Sequence, residues 1–205
     1  MNKELSIVLR DKLVGLPFVD MLGGMVQTVT TEDANQDNEA AAKIVKKFPV
    51  TYDIASLDCQ GKETAMVPDS SKKSIIYFED FGLSVAGRVH GQTMYSSSLR
   101  LICWMNKANL VGNAYVNIGG RCMATIVDIL AGHNPENVGM FTRMTVNVAR
   151  IPPQDAGLFG RYTYNEADRQ YLRPPFEFFG IDFIINFQVP SKCLSGINFN
   201  LEQCT

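Results

Sequence analysis

The sequence predicts an α+β fold: an antiparallel β-sheet with about two helices packed on one face. Three observations lead there. Strand-like stretches outnumber helical ones. They do not alternate regularly with helices, as a parallel sheet would require. The run 181–189 alternates cleanly, with Ile181, Phe183, Ile185, Phe187 and Val189 set against Asp182, Ile184, Asn186 and Gln188, the pattern of a strand with one face on a core. At 205 residues the chain is expected to form a single domain over 1–205, large enough to bury its core without a metal or disulfide staple.

Near the N-terminus, Leu5, Val8, Leu9, Leu13 and Leu16 recur at helical spacing, and Gly15 and Pro17 end that helix. Residues 24–30 alternate as a strand. The acidic stretch 31–42 reads as an exposed loop and 43–53 as a strand carrying Ile44, Phe48, Val50 and Tyr52. After the polar, irregular 54–73, residues 74–105 are mostly strand-like. Leu99, Leu101, Cys103 and Met105 fall on one side there, and Arg100, Ile102 and Trp104 on the other. A glycine-rich stretch at 112–120 leads to a second helix, Arg121–Ala131, whose stripe is Met123, Ile126, Val127 and Leu130, with Gly132 as its stop. Residues 142–150 form the strand before the last one.

Between the last two strands, 152–175 runs from Pro152-Pro153 to Pro174-Pro175 and is read as a projecting loop. It carries Arg161, Tyr162, Tyr164, Arg169, Tyr171 and Arg173, and Tyr and Arg are enriched at protein contacts because each joins apolar area to a polar tip. Residues 190–205 are read as a C-terminal arm, in which Ile197, Phe199 and Leu201 alternate with asparagines and suit addition to a sheet edge, its own or a neighbour's. These nine residues are the candidate interface. The alternative, an ordinary loop with its tyrosines on its own domain, stays open.

Charge is uneven. Residues 1–80 hold 9 basic and 13 acidic groups, 81–175 hold 9 and 5, and 176–205 hold 1 and 3, for a net −2. Opposed blocks suit head-to-tail contact between copies, while the near-neutral total gathers neither nucleic acid nor anionic lipid.

Catalytic signatures are weak. Gly82-Leu83-Ser84-Val85-Ala86-Gly87 approaches a nucleophile elbow, but the next residues, Arg88 to Met94, read as strand rather than helix. Gly119-Gly120-Arg121 reads as a helix entry more than an anion site. A pairing of Cys103 or Cys122 with His133 stays open as a hydrolase alternative, and no spacing supplies a metal site. The five scattered cysteines and the opening Met1-Asn-Lys-Glu-Leu suggest a reducing cytoplasm with free thiols. Cys193 and Cys204 are the one pair placed to close a small loop.

Three segments carry a resemblance: Phe48-Pro49-Val50-Thr51-Tyr52-Asp53, the strand Ser97–Asn106, and Phe179-Gly180-Ile181-Asp182-Phe183-Ile184-Ile185-Asn186-Phe187-Gln188-Val189-Pro190. With the N-terminal helix and Leu16-Pro17-Phe18-Val19, they resemble head-to-tail connector ring proteins of tailed phages of Bacteroides-type hosts, including crAss-like phages. The order of elements is similar to that of tail-terminator-type neck proteins. The resemblance implies a non-enzymatic structural virion protein, assembled in the host cytoplasm as a six- or twelve-fold ring. Its neighbours would be portal or tail ring proteins, and DNA would pass through the lumen without specific binding. No cofactor and no membrane are implied. A non-enzymatic protein-binding adaptor module is the alternative in a different class.

Overall fold

Residues 101–105, Leu-Ile-Cys-Trp-Met, are apolar at every position, and a strand of that kind must be covered on both faces. In the computed structural model, which describes residues 1–33, 44–51, 64–112, 116–134, 137–154, 156–163 and 172–190, this stretch lies in the middle of the main sheet. The elements are α1 (Asn2–Leu13), β1 (Met21–Met25), β2 (Gln27–Asp33), β3 (Ile44–Thr51), β4 (Thr64–Ala65), β5 (Ser74–Val89), β6 (Gln92–Asn106), α2 (Lys107–Val111), α3 (Gly119–Leu130), β7 (Gly132–Asn134), β8 (Thr142–Arg150) and β9 (Phe176–Gln188). A six-stranded sheet runs β1-β5-β6-β9-β8-β7, and a three-stranded sheet runs β2-β3-β4. The fold is α+β, as the sequence predicts. One ladder departs from the antiparallel expectation, since β1 pairs with β5 in parallel.

The first face carries the helices. Leu5, Leu9 and Leu13 of α1 are fully buried at successive helical turns, and Cys122, Ile126 and Leu130 of α3 pack beside them. They meet Leu99, Leu101, Cys103 and Met105 of β6 together with Ile76, Phe78, Phe179, Ile181, Phe183 and Ile185. The expected α3 stripe is therefore rotated slightly. Ile126 and Leu130 hold, Cys122 replaces Met123 at the centre, and Met123 and Val127 flank it half-buried.

Three local expectations need correction. The single strand at 24–30 is two strands meeting at Val26, where the chain leaves one sheet for the other. The Val26 N–H donates to Phe78 O (2.9 Å), its last tie to β5. The stretch 88–94 is not continuous strand, because Val89 pairs with Gln92 across a two-residue turn. Its His90 (φ 51°) and Gly91 (φ 78°) have the left-handed values of a type I′ hairpin. The short α2 has no counterpart among the expected helices. The Asn106 side chain accepts from the Ala108 N–H (3.1 Å), and Gly112 at φ 68° stops the helix after one turn.

The second face is closed by the stretch expected to project. Leu158, Phe159 and Tyr162 are buried with Ile75, Tyr77, Ile102, Trp104, Phe178 and Met66. Phe159 meets Phe178 edge-on (5.3 Å between ring centres), and Phe176 stacks on Trp104 (5.1 Å). The Thr163 N–H donates to Lys47 O (2.7 Å), joining this cover to the three-stranded sheet. Over its described part, 152–154, 156–163 and 172–175, the loop lies on its own subunit. The reason is the second apolar face of β6, which composition alone does not reveal as the loop's destination.

The cover sits close to the sheet at Gly180, where a β-carbon would stand 2.7 Å from Leu158 Cδ2 and 2.9 Å from Pro152 Cγ. Gly180→Ala is expected to destabilise the fold by about 1–3 kcal/mol, measured as a shift in the denaturant midpoint. An unchanged midpoint would show that this cover is not held against β9.

Candidate interaction surface

The candidate interface residues divide sharply. Tyr162 is only 8% exposed and donates its hydroxyl to Glu79 Oε1 (2.5 Å), with its ring edge-on to Tyr77. It is a core residue on this subunit, because the second face needs its ring. Arg161 is exposed, and its guanidinium lies 4.5 Å from the centre of the Phe81 ring. Arg173 is exposed as well. Tyr164, Arg169, Tyr171, Ile197, Phe199 and Leu201 lie outside the described residues, as do Cys193, Cys204 and nearly all of the expected loop 31–42.

A charged border marks the end of the described part of the cover. Arg100 grips Asp182 with two bonds, Nε to Oδ1 (2.6 Å) and Nη2 to Oδ2 (3.1 Å), and Arg150 adds Nη2 to Oδ2 (2.9 Å). Burial alone would raise the Asp182 pKa, but the hydrogen bonds and charges of the two arginines outweigh it and lower it. Arg100 also stands 4.5 Å from Phe81, so two guanidiniums share that ring. Phe81, Ser98, Arg100, Arg150, Asp182 and Ile184 line an open groove of about 380 Å³. Beyond it, by register, this face carries Ser96, Asn147 and Asn186, a polar set suited to water.

Glu79 sits just under this border, 1% exposed. Burial raises its pKa, more than the Tyr162 hydrogen bond and the nearby Arg161 and Arg100 charges pull it down. Its Oε2 has no hydrogen bond and lies 4.0 Å from Arg161 Nη1.

Among the described residues, a run of exposed large apolar side chains lies on β5. β1 pairs with β5 only from Ile75 to Phe78. From Asp80 to Val89, β5 is bonded to β6 on one side, and no strand among the described residues pairs with its other side. Phe81 (46% exposed), Leu83 (40%) and Val85 (66%) stand along this stretch. Register shifts at 80–83 and 85–87 mark two bulges, with Gly82 at φ 118° and Gly87 at φ 130°. Asp80 holds the first bulge in place. Its Oδ1 accepts from the Gly82 N–H and from Asn2 Nδ2, both at 2.7 Å, and Asn2 Oδ1 in turn accepts from the Ser97 hydroxyl. Glycines inside an alternating strand were the available signal for these bulges.

Three of the chemical candidates have defined surroundings in the fold. Ser84 lies in mid-strand, with its hydroxyl donating to Ser96 O (3.3 Å) and no helix after it. Cys103 is fully buried; burial pushes its thiol well up, with Cys122 and Glu177 adding to the effect. The Gly119 N–H at the start of α3 donates to Glu177 Oε2 (3.3 Å), so a carboxylate of the chain itself faces that helix entry. Among the described residues no helix is long and apolar enough to cross a membrane. Comparison with known proteins found no matching family model, curated protein or solved structure.

Two predictions concern the border. The raised Glu79 pKa means that the native state holds this proton more tightly than the unfolded chain does. Its stabilising effect is complete below the ordinary carboxylate range and is lost as pH rises through the raised native value. Glu79→Gln keeps an acceptor for Tyr162, and its stability relative to the parent is expected to rise over that window. Denaturant titrations across a pH series check this, and parallel curves would refute it. Tyr162→Phe is expected to cost about 1–3 kcal/mol, because it strips the buried carboxyl of its donor. Equal stability by thermal melting would count against that bond.

Proposed function

We propose that this chain is a structural virion protein that assembles with copies of itself into a ring in the head-to-tail connector of a tailed phage, around the DNA channel. The observation that carries the reading is the β5 edge, which no strand among the described residues pairs with. A strand edge with unpaired peptide groups is a template for another chain, and monomers blunt such edges with charge, proline, bulges or a covering element; on β5 two bulges shorten the edge and leave Leu83–Val85 regular between them. Here Phe81–Gly87 contains no charged residue and no proline, and three large apolar side chains stand out from it. A subunit made to join copies of itself uses such an edge. Closure into a ring needs heterologous contacts, in which one surface meets a different surface of the next copy.

The resemblance of segments 48–53, 97–106 and 179–190 to connector ring proteins supplies the setting: a six- or twelve-fold ring against portal or tail rings, within the virion, with no cofactor and no bond made or broken. A near-neutral chain suits a lumen along which DNA slides, since strong phosphate binding comes from an excess of cationic groups. The same edge could serve an adaptor that takes a strand from a different protein, and particle mass separates the two. The ring reading predicts a closed multimer of one chain, whereas the adaptor reading predicts a monomer or dimer.

Leu83→Lys with Val85→Lys places two charges on the edge without touching the core. The double variant is expected to melt cooperatively near the parent temperature and to lose self-association, as measured by native mass or sedimentation. Retention of the parent assembly would remove the edge as the subunit contact.

A further inference from the structure

On the connector-ring reading, we infer that the strand completing the β5 edge is the segment Ile197–Leu201 of a neighbouring copy. The acceptor is short and defined. Between the two bulges, only Leu83, Ser84 and Val85 stay in regular register with β6, opposite Ser97, Ser96 and Tyr95. Ser97 is buried against Asn2 of α1, and Tyr95 stacks on Phe187 of the first core. Leu83 and Val85 therefore project on the helix-bearing side of the sheet, where they stay 40% and 66% exposed. A docked strand would bond the outer peptide groups of this stretch and shelter these two side chains.

The donor is short and has the right pattern. Ile197-Asn198-Phe199-Asn200-Leu201 is a five-residue alternation, and 193–201 carries no charge. Paired at an edge, it sets its three apolar side chains on one face, toward Leu83 and Val85. Its point of departure is also fixed. Gln188, the last residue of β9, donates from Nε2 to Val89 O (3.4 Å) at the hairpin tip, and Val189 is buried. Six residues, 191–196, then separate the body from the donor and span at most about 20 Å, enough to cross to an adjacent subunit. Donor and acceptor are different surfaces of one chain, as a closing head-to-tail contact demands. A tail folded back on its own β5 would consume the acceptor and leave nothing at this surface to join copies.

The test uses two lesions that leave the core intact. One variant lacks 191–205 and keeps the acceptor; the other is Leu83→Lys with Val85→Lys and keeps the donor. Each alone is expected to run as a monomer with a cooperative melt. Mixed, they are expected to give a pair of one copy of each and no larger species by native mass, because the pair has no further matching ends. In the full chain, Phe199→Ala is expected to raise the concentration needed for assembly about tenfold. The inference is overturned if the deletion variant assembles like the full chain, in which case the ring reading stands on another contact. It is overturned equally if the mixture yields no pair, or if deleting 191–205 turns a monomeric chain into an associating one, which would show the tail covering its own edge. A full chain that is monomeric at every concentration, with or without 191–205, would end both the inference and the ring reading.

Discussion

The stretch Leu101–Met105 has no polar side, and that constraint organises the molecule. Its odd residues, Leu101, Cys103 and Met105, receive α1 and α3, and its even residues, Ile102 and Trp104, need a second layer. Each fully buried aromatic side chain stabilises the fold by about 1.5–3 kcal/mol relative to exposure. Leaving Trp104, Tyr77 and Phe178 in water would therefore cost a large share of a domain's net stability. The chain meets this by laying 156–163 over the second face, with Phe159 and Tyr162 as its anchors.

Over its described residues, the cover spans only part of that face. Where it ends, the side chains change from apolar to charged, and the Arg100–Asp182–Arg150 group with Glu79 and Arg161 forms the seam. Past the seam the second face is mostly serine and asparagine, compatible with water, while the β5 edge stays apolar and unpaired among the described residues. Two neighbouring surfaces thus differ in kind. One is polar and satisfied by solvent, and the other offers peptide groups and aliphatic side chains that solvent serves poorly. The proposed subunit contact rests on that difference.

The bulges at Gly82 and Gly87 limit what the edge can accept. Without them β5 would present a long regular ladder, open to indiscriminate pairing. With them the open stretch is broken into two short regular pieces, Leu83–Val85 and Gly87–Val89, so a short strand fits and a long one does not. The Asp80–Asn2–Ser97 chain of hydrogen bonds ties the first bulge to α1. Packing on the first face is thereby linked to the shape of the edge.

Much of the framework was legible in the residues. The α1 stripe, the two sides of β6, the alternation of β8 and the long run of β9 come from periods of 3.6 and 2, which depend only on local backbone geometry. What eluded that reading depends on neighbours distant in the chain. Tyr162 belongs to the core because Tyr77 and Glu79, more than eighty residues earlier, stand where it lands. The parallel placement of β1, the switch of sheets at Val26 and the side of β5 left unpaired among the described strands are matters of which strands become adjacent. A strand's own pattern says which side chains share a face, but never which edge lacks a partner. Peptide hydrogen bonding between strands is nearly blind to side-chain identity, so that decision is made only when the whole chain packs.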